Sequence, residues 1–371
     1  MVVARINRRF VSRMVGIFDD EDSMIEIITK GDILKSDAEA LINTVNCVGV
    51  MGRGIALQFK KKFPENFAVY KRACDANEVT LGQVLVFDMG KMFNPRYIIN
   101  FPTKNHWRAN SRIEDIAAGL KALVTVVTDR KIKSIAIPPL GCGLGGLDWA
   151  DVRPIIVHAF EELEDIRVLL FEPGKAPAAK AMAVAADVPE MTAGRAALLG
   201  LMNQYLSAVM DPFVSLLELH KLMYFMQELG EPLKLKFKPA PYGPYAENLR
   251  HVLNKIEGHF ISGFGDGEDD PKKAIEPQSD AMAQAKAFLE THPETRTRFQ
   301  SVSDLISGFE TPYGMELLAT VHWVGAKDGA TSASDAVVRV HAWNDRKKMF
   351  SPPHIELAWT VLKQHGLLTS A

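Results

Sequence analysis

A glycine-dense run, Pro138-Pro139-Leu140-Gly141-Cys142-Gly143-Leu144-Gly145-Gly146-Leu147-Asp148, follows directly on the short apolar stretch Ser134-Ile135-Ala136-Ile137. A loop of this kind, leaving the carboxyl end of a buried strand, turns backbone N–H groups on a phosphate with no Cβ in the way. The same composition makes ordinary tight turns, so the ligand reading depends on what accompanies it. One companion is Thr29-Lys30-Gly31-Asp32-Ile33 after Met24-Ile25-Glu26-Ile27-Ile28, with Asn43-Thr44-Val45-Asn46 and Gly49-Val50-Met51-Gly52-Arg53-Gly54-Ile55-Ala56 following. An Asp at a strand end accepts from an exocyclic amine, and paired Asn side chains hold a ribose. A glycine cluster opening a helix from Ile55 to about Phe63 aims its dipole and free N–H groups at a diphosphate. The other companion is Arg96-Tyr97-Ile98-Ile99-Asn100-Phe101-Pro102-Thr103-Lys104-Asn105-His106-Trp107, in which an apolar strand delivers one lysine, Lys104, into a polar turn.

These segments need a scaffold of alternating strands and helices. Val84–Phe87, Tyr97–Ile99, Ile135–Ile137 and Val168–Phe171 read as strands, and Ile113–Val127 and Val152–Glu164 have helical spacing. Residues 24–172 therefore read as an α/β sandwich, preceded by an extension, 1–23, and followed by an Ala/Pro/Gly linker, 173–189. From 190 to 371 the apolar period becomes helical, as in Leu216-Leu217-Leu219-Leu222-Met223-Phe225-Met226, which predicts a mainly helical second domain. Its stripe of Met and aromatic residues reads as helix core before any cofactor box. The acidic run Ser262–Asp270 reads as a solvated loop, with imitation of nucleic-acid phosphates as the rarer alternative.

At 371 residues the chain exceeds one ordinary core and fits two domains. Its formal net charge of −2 and 47% hydrophobic content describe an ordinary globular protein. No apolar run approaches the roughly 20 residues a bilayer requires, and Met1–Phe18, though basic, lacks a leader's apolar core and cleavage site. The expectation is a cytoplasmic protein without a membrane partner. Cys47, Cys74 and Cys142 show no metal or disulfide spacing. No metal or other cofactor is expected, and Cys142 reads as packing, not as a nucleophile.

Lys30-Gly31-Asp32-Ile33, Asn43/Asn46, Gly52-Arg53-Gly54-Ile55-Ala56, Phe101-Pro102-Thr103-Lys104 and Gly141-Cys142-Gly143-Leu144 together resemble a macrodomain. Within that superfamily they are similar to the branch shared by terminal ADP-ribose glycohydrolases and the DarG antitoxins, and Phe-Pro-Thr-Lys followed by His-Trp looks more like DarG. The resemblance covers about residues 24–171. It implies a three-layer α/β/α sandwich with a mixed sheet that binds ADP-ribose through Asp32, Ile33, Asn43, Asn46, Gly52, Arg53, Gly54, Ile55, Ala56, Thr103, Gly141, Cys142, Gly143, Leu144 and Gly145. Asp32 would meet the adenine amine, Asn46 the distal ribose, and the glycine loops the diphosphate. The implied activity is removal of ADP-ribose from thymidine in DNA, single-stranded DNA being the expected form, with Lys104 catalytic. The implied partner is a DarT-like toxin, a DNA ADP-ribosyltransferase, bound through residues 190–371. His220-Lys221-Leu222-Met223-Tyr224-Phe225-Met226 followed by Pro241-Tyr242-Gly243-Pro244-Tyr245 also resembles SocA-like antitoxin domains.

Cleaving such a bond passes through a transition state with oxocarbenium character. Lys104 would act either as a neutral amine attacking the anomeric carbon or as a cation supporting the leaving base or positioning water. The first role requires a lysine pKa below the usual value of about 10.4. His106 and Trp107 are candidate contacts to DNA or an extruded thymine, Trp107 by stacking. Gly145 stands where related glutamate-ADP-ribose hydrolases carry Asp, which speaks against the alternative of a protein glutamate/aspartate hydrolase. A module that only reads ADP-ribose is the other alternative.

Overall fold

The computed structural model describes residues 24–163, 165–174, 181–209 and 213–368. The proposed extension, 1–23, and part of the linker, 175–180, lie outside the described residues. Contacts divide the chain into two compact units: the first runs to Met51 and resumes from Phe63 to Ala176, and the second takes Gly52–Lys62 together with the chain from Pro177 onward.

The first half contributes β1 (Ile25–Ile28), β2 (Ala40–Asn46), α1 (Gly54–Lys62), α2 (Pro64–Asp75), β3 (Leu85–Asp88), β4 (Tyr97–Lys104), α3 (Ile113–Asp129), β5 (Ser134–Ile137), α4 (Trp149–Phe160) and β6 (Arg167–Phe171). The strands form one mixed sheet in the order β1-β6-β5-β2-β4-β3, antiparallel only where β3 pairs with β4. One face carries Ile42, Ile99, Phe101, Ile135, Ile137 and Val168 into a core closed by Ile116, Leu120 and Leu123 of α3 and Val152, Ile156 and Phe160 of α4. The other face meets α2 through hydrogen bonds between the buried side chains of Asn66 and Asn100. The architecture is the expected three-layer sandwich with a mixed sheet. Its central strand, β2, is the element the sequence pattern does not mark, because Asn43 and Asn46 interrupt the apolar run.

The second unit is mainly helical, as expected: α5 (Ala193–Val209), α6 (Leu216–Glu228), α7 (Leu249–Ile256), α8 (Ser279–Thr291), α9 (Pro293–Ile306), α10 (Pro312–Ala326), α11 (Ala333–Trp343) and α12 (Pro352–Gln364). It also holds a three-stranded and a two-stranded sheet of very short strands. Helix α6 is opened by a capping box in which Ser215 and Glu218 satisfy each other's backbone N–H groups. Residues 216–226 of α6 are all buried, so the Met and aromatic stripe is core. Its polar members are compensated. Lys221 Nζ donates to Pro244 O at 2.7 Å, and burial next to Lys347 pushes its pKa down to about 7. Lys347, equally buried, donates to Glu316 and Thr320, and Arg346 grips both oxygens of Glu316. Among the described residues no helix is long and apolar enough to cross a membrane.

Candidate functional site

The chain leaves β2 toward β4 on one side and later returns to β5 on the other. The carboxyl ends of β4, β2 and β5 therefore lie side by side at a topological switch point, where open parallel sheets leave a crevice. Lys104 closes β4 and Asn46 closes β2. Between Val45 and Asn46 the pairing slips, from Val45 opposite Pro102 to Asn46 opposite Lys104. Pro102 has no N–H for a regular ladder, and the resulting bulge re-aims the next side chains. Lys104 Nζ reaches the glycine loop after β5 and donates to Leu144 O at 2.7 Å. Burial lowers the Lys104 pKa.

The loop is braced from the other side as well. Ser111 N donates to Gly145 O at 2.9 Å, so adjacent peptide carbonyls at 144 and 145 are held by different elements. Gly145 has no room for a side chain, since a Cβ would lie 2.3 Å from Ser111 Oγ and 2.4 Å from Gly141 O. Gly141 turns with φ +73°, and a Cβ on exposed Gly143 would meet nothing within 4 Å. Cys142 Sγ rests 3.5 Å from Leu140 O. Burial and the nearby Asp148 push its thiol up to about 11, in keeping with a packing residue.

Several expected ligand residues are occupied within the protein. Asn43 is fully buried and donates to Asn100 Oδ1 at 2.9 Å. Asn46 donates to Val50 O and accepts from Val48 N, Val50 N and the Tyr70 hydroxyl, so its amide organises the 48–50 loop. Thr103 is buried with its hydroxyl toward Val45 O at 3.4 Å, and Ile33 is buried as the first residue of a 3-10 turn. Asp32 caps that turn, Oδ1 accepting from Leu34 N at 3.0 Å. Asn66, Tyr70, Asn100 and Ser111 were not singled out by sequence. An Asn in the middle of the otherwise apolar β4 is the signal that could have found the first three, because a buried amide demands a partner.

Gly52, Arg53, Gly54, Ile55 and Ala56 surround the start of α1, which contacts place in the second unit. There Gly54 N donates to Asp266 O at 2.7 Å, Arg53 is ion-paired with Asp269, and Gln58 Nε2 donates to Gly265 O at 3.2 Å. The run Ser262–Asp270 is thus no merely solvated loop.

Beyond Lys104, the exposed His106 ring stacks on Trp107 with centroids 5.3 Å apart, and the Arg108 guanidinium lies 4.4 Å from the Trp107 ring centre. The turn thereby presents a cationic aromatic stack. Among the described residues no group of His, Cys, Asp or Glu side chains gathers as a metal site.

Residues 42–156 match the Macro domain family. The chain is 45% identical over 339 residues to the DNA ADP-ribosyl glycohydrolase of Thermus aquaticus, covering 91% of this chain and 93% of that protein. It is 34% identical over 152 residues to a DNA ADP-ribosyl transferase-DNA ADP-ribosyl glycohydrolase fusion protein of Thermosipho africanus, covering 37% of this chain and 39% of that one. Among solved structures, the macrodomain of Mycobacterium tuberculosis DarG is 52% identical, covering 40% of this chain and 99% of that one, with a TM-score of 0.39.

Proposed function

Because the chain belongs to the DNA ADP-ribosyl glycohydrolase family, we propose that it hydrolyses the N-glycosidic bond joining ADP-ribose to thymidine in DNA. The observation that carries this reading is Lys104 Nζ held against Leu144 O at the end of β4, with its pKa lowered by burial. A lysine anchored to the same loop that grips a diphosphate sits within reach of the distal ribose. Its free amine would attack the anomeric carbon as the base leaves, and water would then release the sugar; its ammonium would instead stabilise the departing base. No carboxylate can stand at position 145 to assist, because that space is filled.

In this proposal N–H groups of the loop Gly141–Gly145 take the diphosphate. Asp32 offers the adenine amine the carboxylate whose other oxygen caps the 3-10 turn. Asn43, Asn46 and Thr103 act by fixing the strand ends, and contact of Asn46 with the distal ribose would require it to release the 48–50 loop. The His106/Trp107 stack receives the thymine of single-stranded DNA. The second unit serves as the docking module for a cognate DNA ADP-ribosyltransferase toxin, making the chain a cytoplasmic antitoxin that both repairs DNA and captures the toxin. The fusion relative, whose name joins a transferase and a glycohydrolase in one chain, supports that partnership. Titrating the full chain with the toxin in a calorimeter tests it, and absence of heat at micromolar concentrations counts against it.

The enzymatic reading is tested by release of ADP-ribose from a thymidine-modified oligonucleotide. Lys104→Ala should abolish release while ADP-ribose still binds. Lys104→Arg separates the two roles: retained release identifies the charge as what matters, and lost release identifies the amine. A nucleophilic amine also predicts a rate that rises with pH through the lowered Lys104 pKa, whereas an ammonium role predicts a fall. Wild-type release in Lys104→Ala would remove the residue from the mechanism.

A further inference from the structure

The hydroxyl of Ser111 is buried without a bond. The residue is 6% exposed, and among the described residues its Oγ meets no hydrogen-bond partner. Its backbone is committed, since Ser111 N donates to Gly145 O at 2.9 Å, but the cap of α3 is Arg112 and the Ser111 side chain closes no turn there. The side chain lies against the glycine loop: a Cβ on Gly145 would fall 2.3 Å from its Oγ, and one on Gly141 would fall 3.1 Å from its Cβ. A hydroxyl sealed from water with nothing to bond destabilises the arrangement that holds it. Such a group points to a second arrangement in which it is bonded.

The loop carries the complementary mismatch. Leu144 O accepts from Lys104 Nζ at 2.7 Å, so the 144–145 peptide directs its oxygen at the lysine. The N–H and C=O of a trans peptide point opposite ways, which turns the Gly145 N–H away from that amine. A diphosphate in the loop needs the reverse, an N–H facing it and no carbonyl oxygen opposed to its charge. Rotating the 144–145 peptide by half a turn supplies this and breaks the tie to Lys104. The rotation changes φ at Gly145 by the same half turn, which glycine accommodates. We propose that Ser111 is a positioning residue for this rotated loop: with ADP-ribose bound, its hydroxyl donates to Leu144 O in place of Lys104, the Gly145 N–H turns to the diphosphate, and the Lys104 amine is freed. The inference rests on the reading above that the loop Gly141–Gly145 takes the diphosphate. All of these residues belong to the first unit.

Loss of an ordinary structural hydrogen bond lowers melting temperature and affinity together, whereas here the two should part. Ser111→Ala removes a hydroxyl that bonds nothing in the unliganded fold. Full-length wild type and Ser111→Ala are compared by thermal melts without ligand and by calorimetric titration with ADP-ribose. The variant should melt at or above the wild-type temperature, because an unpartnered buried hydroxyl is gone. It should bind ADP-ribose about twofold to tenfold more weakly, the worth of one hydrogen bond present only in the complex. Wild-type or tighter affinity in Ser111→Ala, or weaker binding accompanied by a lower melting temperature, overturns the proposal. If the wild type itself takes up no ADP-ribose, the assignment of the loop to the diphosphate falls, and the role of Ser111 with it.

Discussion

The bracing of the second glycine loop gives the sharpest test, because one glycine there is enclosed and another is open. In Gly145→Ala the new methyl is placed 2.3 Å from Ser111 Oγ and 2.4 Å from Gly141 O, whereas in Gly143→Ala it meets nothing within 4 Å. Overpacking of this kind costs about 1–3 kcal/mol, or about 3–10 °C of melting temperature for a unit of this size. The loop must move, and Leu144 O, the anchor of Lys104, is in the adjoining peptide. A misplacement near 1 Å at a reacting group lowers rate about 100-fold. Gly145→Ala should thus lose both stability and ADP-ribose release. Ser111→Gly in the same chain removes one of the two obstructing atoms and should restore stability only in part, since Gly141 O is backbone. Gly143→Ala should keep its melting temperature and weaken ADP-ribose binding, its methyl filling space left for the ligand. Thermal melts paired with oligonucleotide assays decide the matter. A Gly145→Ala enzyme with wild-type melting and wild-type release refutes the reasoning.

Trp107→Ala should weaken binding of the modified oligonucleotide by about 1–3 kcal/mol without changing affinity for free ADP-ribose, and equal losses for the two ligands in a titration would remove the stacking role. In the second unit, burial holds the His322 pKa down to about 4, with the Tyr224 hydroxyl 2.7 Å from Nδ1. Between about pH 4 and 6.5 the unfolded chain then binds the extra proton, so stability present above pH 6.5 is lost as pH falls, by about 3 kcal/mol in full. Fluorescence melts of Trp323, Trp343 and Trp359 should show this acid limb, and His322→Phe should flatten it; an unaltered limb contradicts the assignment.

Much of this was legible in the residues. Lys104 stood out because a lone lysine closes an apolar strand, and the structure brings it to the glycine loop after β5. Helices α3 and α4 follow from their apolar spacing, although α4 stops at Phe160, short of the expected Glu164. Less visible were the features that depend on pairing across long sequence distances. Strand β2 hides behind its asparagines, and the burial of Asn43 makes sense only once Asn100 is placed opposite it. Asn46 reads as a ligand group from its type and position, yet local N–H groups and Tyr70 claim its amide first. Likewise, nothing in the composition of 262–270 announces that its oxygens meet Arg53 and Gly54, more than 200 positions earlier. Short-range pattern marked the candidate residues, and long-range polar pairing set which partners their side chains meet in the fold.

The amides of Asn43, Asn66 and Asn100 also act as a ruler for β4, the strand that ends in Lys104. A β-strand that slips by two residues keeps every side chain on its own face, so apolar packing alone resists the error weakly. Such a slip of β4 against β2 would carry Lys104 about 7 Å along the strand, out of reach of Leu144. It would also pull Asn100 from both partners and strand buried amides in a dry layer, each costing about 1–3 kcal/mol. The position of the Lys104 amine is thus set four residues upstream, by three side chains that bond one another.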